Sequence, residues 1–333
     1  MPNNKYKIGI DLGTTNIAMA YCKPHDDEIH YFKIPQLIAA DQYMTLSLLP
    51  VFIAIMNEEI AKVLPWSVSH PRLIIGEYAR KLAESTDIPV IKAPKSWLGH
   101  THLDINQPLL PEGEQAQYAP IEIIEILLTY LADAWNAEMQ DFPMNKQNVV
   151  VTLPASFNDN ARSALANTMD RLGFQSYRLL EEPLAAFYAW MAMHDEDLSI
   201  TSQQVEKSIA LVVDIGGGTT DFSLIGLTMD ENGSHFERIS VGDHLLLGGE
   251  NIDLFLTQQL IEREGWRLSQ SMMPRLSSQL RGIKERLLSF ESPDELPLSL
   301  SSAGSSGLFK LKFKTMLQRQ WIETRILDGF FQR

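Results

Sequence analysis

The chain is nearly without cysteine, short of positive charge and free of any long uncharged apolar run, and each deficit narrows what it can be. Cys22 is the single cysteine in 333 residues, which excludes an intrachain disulfide and a cysteine-based zinc cluster. Lysine plus arginine total 28 against 42 aspartates and glutamates, a formal net charge of −14. That balance argues against binding nucleic acid or an anionic membrane through bulk electrostatics. A single nucleotide is a different case, because backbone amides and one local lysine can supply the positive potential it needs. No apolar run approaches the length of a membrane span. The start, MPNNKYKIG, leads straight into an expected strand, so the expectation is a cytoplasmic protein without a signal peptide. The length exceeds what one core usually holds and predicts two domains.

Two similar segments stand out against this background: IGIDLGTTN at 8–16 and LVVDIGGGTTD at 211–221. Each reads as a buried apolar strand, an aspartate, a tight turn rich in glycine and threonine, and a second strand. The glycines let backbone N–H groups approach a ligand closely. The threonine hydroxyls add donors, and the aspartate sets a carboxylate where a hydrated cation would sit beside phosphate oxygens. One such loop is an ordinary glycine turn. Two in one chain predict a nucleotide clamped between related lobes.

The rest of the chain supports that organisation. A hairpin is expected over 6–22 and further strand-like runs over 28–60, notably SLLPVFIAIM. The clearest helix is Tyr118 to Met139, with Pro120 in its first turn and apolar residues at helical spacing. A buried strand at Asn148 to Ala155 leads into a helix through ARSALANTMDRLGF that Gly173 ends. A short strand then enters an apolar helix near Pro183. The polar stretch HDEDLSITSQQVEKS is the expected boundary, giving a first lobe over 1–205 and a second over 206–333. The second half repeats strand-loop-strand, then helices near 250–265 and 273–289, then a hairpin with a Gly/Ser turn at 297–313. Mixed strands and helices in two half-similar lobes are an α/β architecture.

IGIDLGTTN, VVVTLPASFNDNAR, LLEEPLAA, VVDIGGGTTDFS and LLLGGENID follow one another at spacings that resemble the nucleotide-binding domain of the DnaK-type chaperones, the seventy-kilodalton heat-shock family. The resemblance covers most of residues 6–290 and is weakest between 25 and 75. It implies the actin-like (ribonuclease H-like) two-lobed fold and ATP hydrolysis in the cleft between the lobes. Asp11, Glu182 and Asp214 are then the residues for Mg²⁺, largely through its water shell. Gly13, Thr14, Thr15 and Asn16 cradle one side of the phosphates, and Gly216, Gly217, Gly218 and Thr219 the other. Asp221 is expected to order its loop. Lys95, in APKSWLG, matches the family lysine that reaches the γ-phosphate and the attacking water, although the surrounding residues match poorly. A compact mobile ammonium suits that task. The implied catalytic set is Lys95, Glu182, Asp214 and Thr219, with Thr219 orienting the water and the general base left open among several carboxylates. Glu181 replaces the asparagine usual before Glu182.

Gly248, Gly249, Glu250 and Lys284 match the adenosine side, where Arg281 stands in place of the usual ribose-binding acid. Pro154 and Arg162 match a relay from the nucleotide site to the surface where the peptide-binding domain docks. K⁺ enters by the resemblance alone, as do a J-domain co-chaperone, a nucleotide-exchange partner and unfolded peptide, the last through a domain outside this chain. The similarity stops before the family's second adenosine loop and return helix, so a second lobe incomplete at its C-terminus is the expectation. Two other readings stay open at this stage: a bacterial actin-like filament ATPase, which EEPLAA and DIGGGTTD also suit, and a non-catalytic nucleotide-sensing fragment. A sugar kinase is disfavoured by the lack of a convincing sugar-binding motif with a catalytic aspartate.

Overall fold

The computed structural model describes residues 5–331 except 60–62, 67–68, 87, 101–102, 112–116, 194–206, 231–232, 243–244, 246, 270–271 and 302–311, and it describes 207–208, 227–230 and 233–235 by backbone only. The first half is built on a six-stranded sheet. Its spine runs Tyr177–Glu181 (β11), Asn148–Leu153 (β10), Lys7–Leu12 (β1), Asn16–Cys22 (β2) and His30–Tyr31 (β3), with Leu48–Pro50 (β6) also on β2. β11, β10 and β1 are parallel, and β1 turns back antiparallel into β2, as expected for 6–22. Strict alternation explains why these segments are strands. Ile8, Ile10, Leu12, Ile17, Met19, Val149, Val151 and Leu153 are all buried on one face.

That face is covered by two helices. Pro120–Glu138 (α3) starts with proline at its first position, and Glu122 accepts from the Ala119 N–H at 3.3 Å. Asp159–Arg171 (α4) is capped by Asn158, whose Oδ1 accepts from the Ala161 N–H at 2.9 Å. Gly173, at φ 76°, ends it in the left-handed conformation that glycine tolerates best. Leu127, Leu131, Leu165 and Met169 pack with the buried strand residues into one cluster. Removing this apolar surface from water is the main stabilising term.

Between β2 and α3 the chain adds Ile34–Ala39 (β4), Gln42–Leu46 (β5), Phe52–Ile55 (β7), Leu73–Ile75 (β8), the helix Glu77–Ser85 (α1), Val90–Lys92 (β9) and the short helix Pro94–Leu98 (α2). After β11, Glu182–Met193 (α5) begins one residue before Pro183. The boundary expected over 194–208 lies almost wholly outside the described residues.

The second half opens with Lys207–Ile215 (β12), Thr220–Asp230 (β13) and Gly233–Val241 (β14), an antiparallel sheet in that order. Gly249–Glu264 (α6) and Met272–Leu287 (α7) follow, then the hairpin Glu295–Ser301 (β15) and Lys312–Gln318 (β16) and the helix Arg319–Thr324 (α8). The Gly/Ser turn expected in that hairpin falls outside the described residues. A separate buried cluster forms here from Leu256, Leu260, Leu276, Leu280, Leu287, Leu298, Leu300, Leu317 and Ile322. The two halves also meet away from these cores. Arg275 Nε and Gln279 Nε2 on α7 each donate to the Glu84 carbonyl of α1 at 3.4 Å.

Candidate functional site

The two glycine loops lie at the ends of β1 and β12 and touch each other. A Cβ built on Gly217 would lie 2.1 Å from Thr15 Cγ2, so only glycine fits where the loops meet. Gly13 is equally confined, its would-be Cβ 2.3 Å from the Asn16 carbonyl oxygen. The Gly216 N–H donates to the Thr219 carbonyl at 2.8 Å and closes the β12–β13 turn. Thr219 Oγ1 donates to Asp221 Oδ2 at 3.2 Å, the loop-ordering contact expected of Asp221. Thr14 Cγ2 and Ser96 Oγ both lie about 4 Å from the would-be Cβ of Gly218, which brings α2 to the same place.

Lys95 sits in the first turn of α2 and is 3% exposed, a different environment from that of an ordinary surface lysine. Ala93, just before the helix, holds φ 46° and ψ 46°, a left-handed conformation that costs a non-glycine residue about 1 kcal/mol. The Lys95 ammonium forms a buried ion pair with Glu182 Oε1 at the start of α5. Asp11 and Asp214 face the same pair electrostatically. Burial pushes the Glu182 carboxyl above the ordinary glutamate range, Lys95 pulls it back, and Asp214 and Asp11 push it up again. Asp214 is likewise raised, first by burial and then by Asp221, with Lys95 opposing and Asp11 adding. One lysine among three carboxylates leaves uncompensated negative charge in a partly desolvated cluster, an environment that favours a hard divalent cation. The three carboxylates do not bring their oxygens within 4.8 Å of one another; among the described residues the trio that does is Asp26, Glu28 and His30.

These raised values have a consequence for the free chain. Between the ordinary carboxylate range and the raised one, the folded state holds protons that the unfolded state has released. Stability from this source is therefore fully present below the ordinary range and is lost as pH rises through the raised values. Asp214→Asn removes that loss. The nucleotide-free variant is expected to melt about 2 °C higher than the parent at pH 7, and no higher at about pH 3, where the aspartate is already neutral. Thermal scans at the two pH values check it; a variant less stable at pH 7 contradicts the account.

The residues expected on the adenosine side also come together. The Gly249 and Glu250 N–H groups donate to the Gly216 and Gly217 carbonyls at 3.1 and 2.7 Å, so the start of α6 is pinned to the second loop. Asn251 Oδ1 accepts from the Gly248 N–H at 2.9 Å. Lys284 reaches across from α7, 2.7 Å from Asp253 Oδ1 and 3.4 Å from the Gly249 carbonyl. Arg281 lies 3.8 Å from Glu250, 3.6 Å from Asp253 and 3.3 Å from Glu285.

Pro154 follows β10 directly, and its carbonyl accepts from the Phe157 N–H at 3.1 Å. Arg162 Nε donates to the Phe157 carbonyl at 3.0 Å, and Arg162 Nη2 donates to Glu181 Oε1 at 2.8 Å. Three residues of this region escaped the sequence reading. Thr152 donates its hydroxyl to Asp11 Oδ1 at 2.8 Å, Ser96 approaches Gly218, and Arg238 of β14 pairs with Glu181 Oε2. Thr152 could have been found from the parallel placement of its strand beside β1. Nothing local marks Arg238.

A family model described as Hsp70 protein matches residues 93–333. Among curated proteins, Heat shock protein SSC3, mitochondrial, of Saccharomyces cerevisiae is 27% identical over 76% of this chain and 36% of its own length. A Chaperone protein HscA homolog of Vibrio vulnificus is 29% identical over 79% of this chain and 38% of its own. Another, of Pasteurella multocida, is 27% identical over 95% of this chain and 46% of its own. The chain thus spans less than half the length of these relatives.

Proposed function

The chain belongs to the Hsp70 family, and on that premise we propose that its cleft binds Mg-ATP and hydrolyses it to ADP and phosphate. The fold is the actin-like α/β fold of that family, and it is the family match over residues 93–333 that favours the chaperone-type reading over a filament protein. In this reading residues 1–205 and 206–333 form two lobes, and the cleft between them is the nucleotide site. The carrying observation is the buried Lys95–Glu182 ion pair, set among Asp11 and Asp214 beneath two glycine loops that touch.

Gly13, Thr14, Thr15 and Asn16 would bind the phosphates from one side and Gly216, Gly217, Gly218 and Thr219 from the other, through backbone N–H groups and hydroxyls. Gly248, Gly249, Glu250 and Lys284 would hold the adenosine. Asp11, Glu182 and Asp214, a donor set whose mutual repulsion favours a cation, would hold Mg²⁺ through its water shell. Mg²⁺ when bound neutralises charge on the phosphate oxygens. Water attacks the γ-phosphorus as the bond to the ADP oxygen breaks. The Lys95 ammonium stabilises the transferring group and Thr219 orients the water. Catalysis of this kind is positioning and charge neutralisation, which needs no covalent intermediate.

Pro154 and Arg162 fit a relay from this cleft to a peptide-binding domain outside the chain. The family reading extends to a J-domain co-chaperone, a nucleotide-exchange partner and client peptide, and to K⁺ beside the phosphates. Among the described residues no helix is long and apolar enough to cross a membrane. Single-turnover assay of the chain with radiolabelled Mg-ATP tests the proposal. Release of γ-phosphate that requires Mg²⁺ is expected. A folded chain that binds Mg-ATP without releasing phosphate would leave the non-catalytic sensing reading in its place.

A further inference from the structure

Glu181 and Glu182 are consecutive, one closing β11 and the other opening α5, and they reach different partners. Glu182 pairs with Lys95 in the cleft. Glu181, its side chain 13% exposed, forms ion pairs with two guanidinium groups, one at each of its oxygens. Arg162 Nη2 lies 2.8 Å from Oε1, and Arg238 pairs with Oε2. Arg162 belongs to α4, which packs on the first sheet, and is itself held by the Phe157 carbonyl at 3.0 Å. Arg238 belongs to β14 in the second half.

Two residues before Arg238, and so on the same face of β14, Phe236 stacks edge-on against Phe187 and Tyr188 of α5, with ring centroids 5.4 and 5.8 Å apart. β14 therefore grips both ends of the Glu181–α5 junction, by charge at Glu181 and by aromatic packing on α5. A charge-assisted contact with a guanidinium is directional, so it fixes the carboxylate's place as well as compensating its charge. The backbone of Glu181 carries Glu182, and a shift at the first moves the second.

We propose that Glu181, clamped between Arg162 and Arg238, is a positioning residue for Glu182, and that Arg238 ties the placement of the second lobe to the Lys95–Glu182 pair. The consequence for hydrolysis rests on the nucleotide reading given above; the positioning itself does not. The clamp transmits lobe movement to the cleft: drawing β14 away pulls Glu181, and with it Glu182, out of register with Lys95.

The test follows the contact between the Lys95 and Glu182 side chains by NMR, as the nuclear Overhauser cross-peak between Lys95 Hε and Glu182 Hγ in the full nucleotide-free chain, with Arg238→Gln, Arg238→Lys, Glu181→Gln and the double variant R238Q/E181Q. Arg238 is about a third exposed, so its variants are expected to fold even if loss of Glu181 disturbs the chain. The cross-peak should be lost in Arg238→Gln and largely restored in Arg238→Lys. In the Glu181→Gln background Arg238→Gln should have no further effect, because the arginine acts through Glu181. An unchanged cross-peak in Arg238→Gln, or the same loss on adding Arg238→Gln in both backgrounds, overturns the proposal.

In the hydrolysis assay Arg238→Gln should slow the single turnover about tenfold with Mg-ATP affinity held within about twofold. Lost affinity at an unchanged rate would contradict positioning. If the parent chain itself hydrolyses nothing, the hydrolysis reading fails and the Lys95–Glu182 cross-peak alone decides the clamp.

Discussion

Lys95→Ala should slow single-turnover ATP hydrolysis by about a hundredfold or more, while affinity for Mg-ATP measured by calorimetry changes far less. The ammonium is proposed to act on charge that develops as the phosphoryl group transfers, so its removal raises the barrier more than it weakens ground-state binding. The structure adds two constraints. Lys95 is 3% exposed, so the larger planar guanidinium of Lys95→Arg has no room to take over, and that variant should remain slow. Among the described residues Lys95 is the cation that holds the Glu182 carboxyl down, so without it that carboxyl should be driven still higher by burial and by Asp214 and Asp11. A Lys95→Ala chain that hydrolyses ATP at close to the parent rate would remove Lys95 from the chemistry.

Gly217→Ala should lower both nucleotide affinity and hydrolysis, the rate by about a hundredfold. The new methyl would have to occupy a point 2.1 Å from Thr15 Cγ2, and the next loop offers no retreat, since a Cβ on Gly248 already falls 2.6 Å from the Gly217 carbonyl oxygen. The loops must therefore separate, and a displacement of about 1 Å between groups that hold one phosphate chain is enough to lose most of the positioning. The compensating change is specific. Thr15→Ser removes the colliding methyl and leaves Oγ1 and Cβ, at 3.2 and 3.3 Å from the built Cβ. The double variant should recover at least about tenfold of the loss. Equal activity of Gly217→Ala and the parent would show that the loops do not hold the nucleotide between them.

Much of this architecture was legible in the chain because the residues that decide it act locally. Pro120, Asn158 and Gly173 set helix ends through backbone geometry alone, and the alternation through Ile8, Ile10 and Leu12 fixes a strand and its buried face. The glycine loops were legible for the same reason, since only glycine fits at Gly13 and Gly217. Lys95 was harder. Its own neighbours match poorly, and its burial depends on Glu182, which lies 87 residues further on. The Arg238–Glu181 contact lay wholly beyond sequence reading: a lone arginine on an antiparallel strand looks like a solvated side chain, and only the packing of β14 against α5 brings it to a carboxylate. Thr152 was missed for a different reason: its partner Asp11 is 141 residues away, and the parallel pairing of β1 and β10 that brings them together would have had to be assumed first.

The central claim is that the cleft formed by the two loops and the Lys95–Glu182 pair is a Mg-ATP site. Calorimetric titration of the chain with ATP, with and without Mg²⁺, tests it most directly. The account predicts saturable binding with one nucleotide per chain that tightens when Mg²⁺ is present and weakens in Asp214→Asn. A folded chain that takes up no nucleotide under either condition would contradict it.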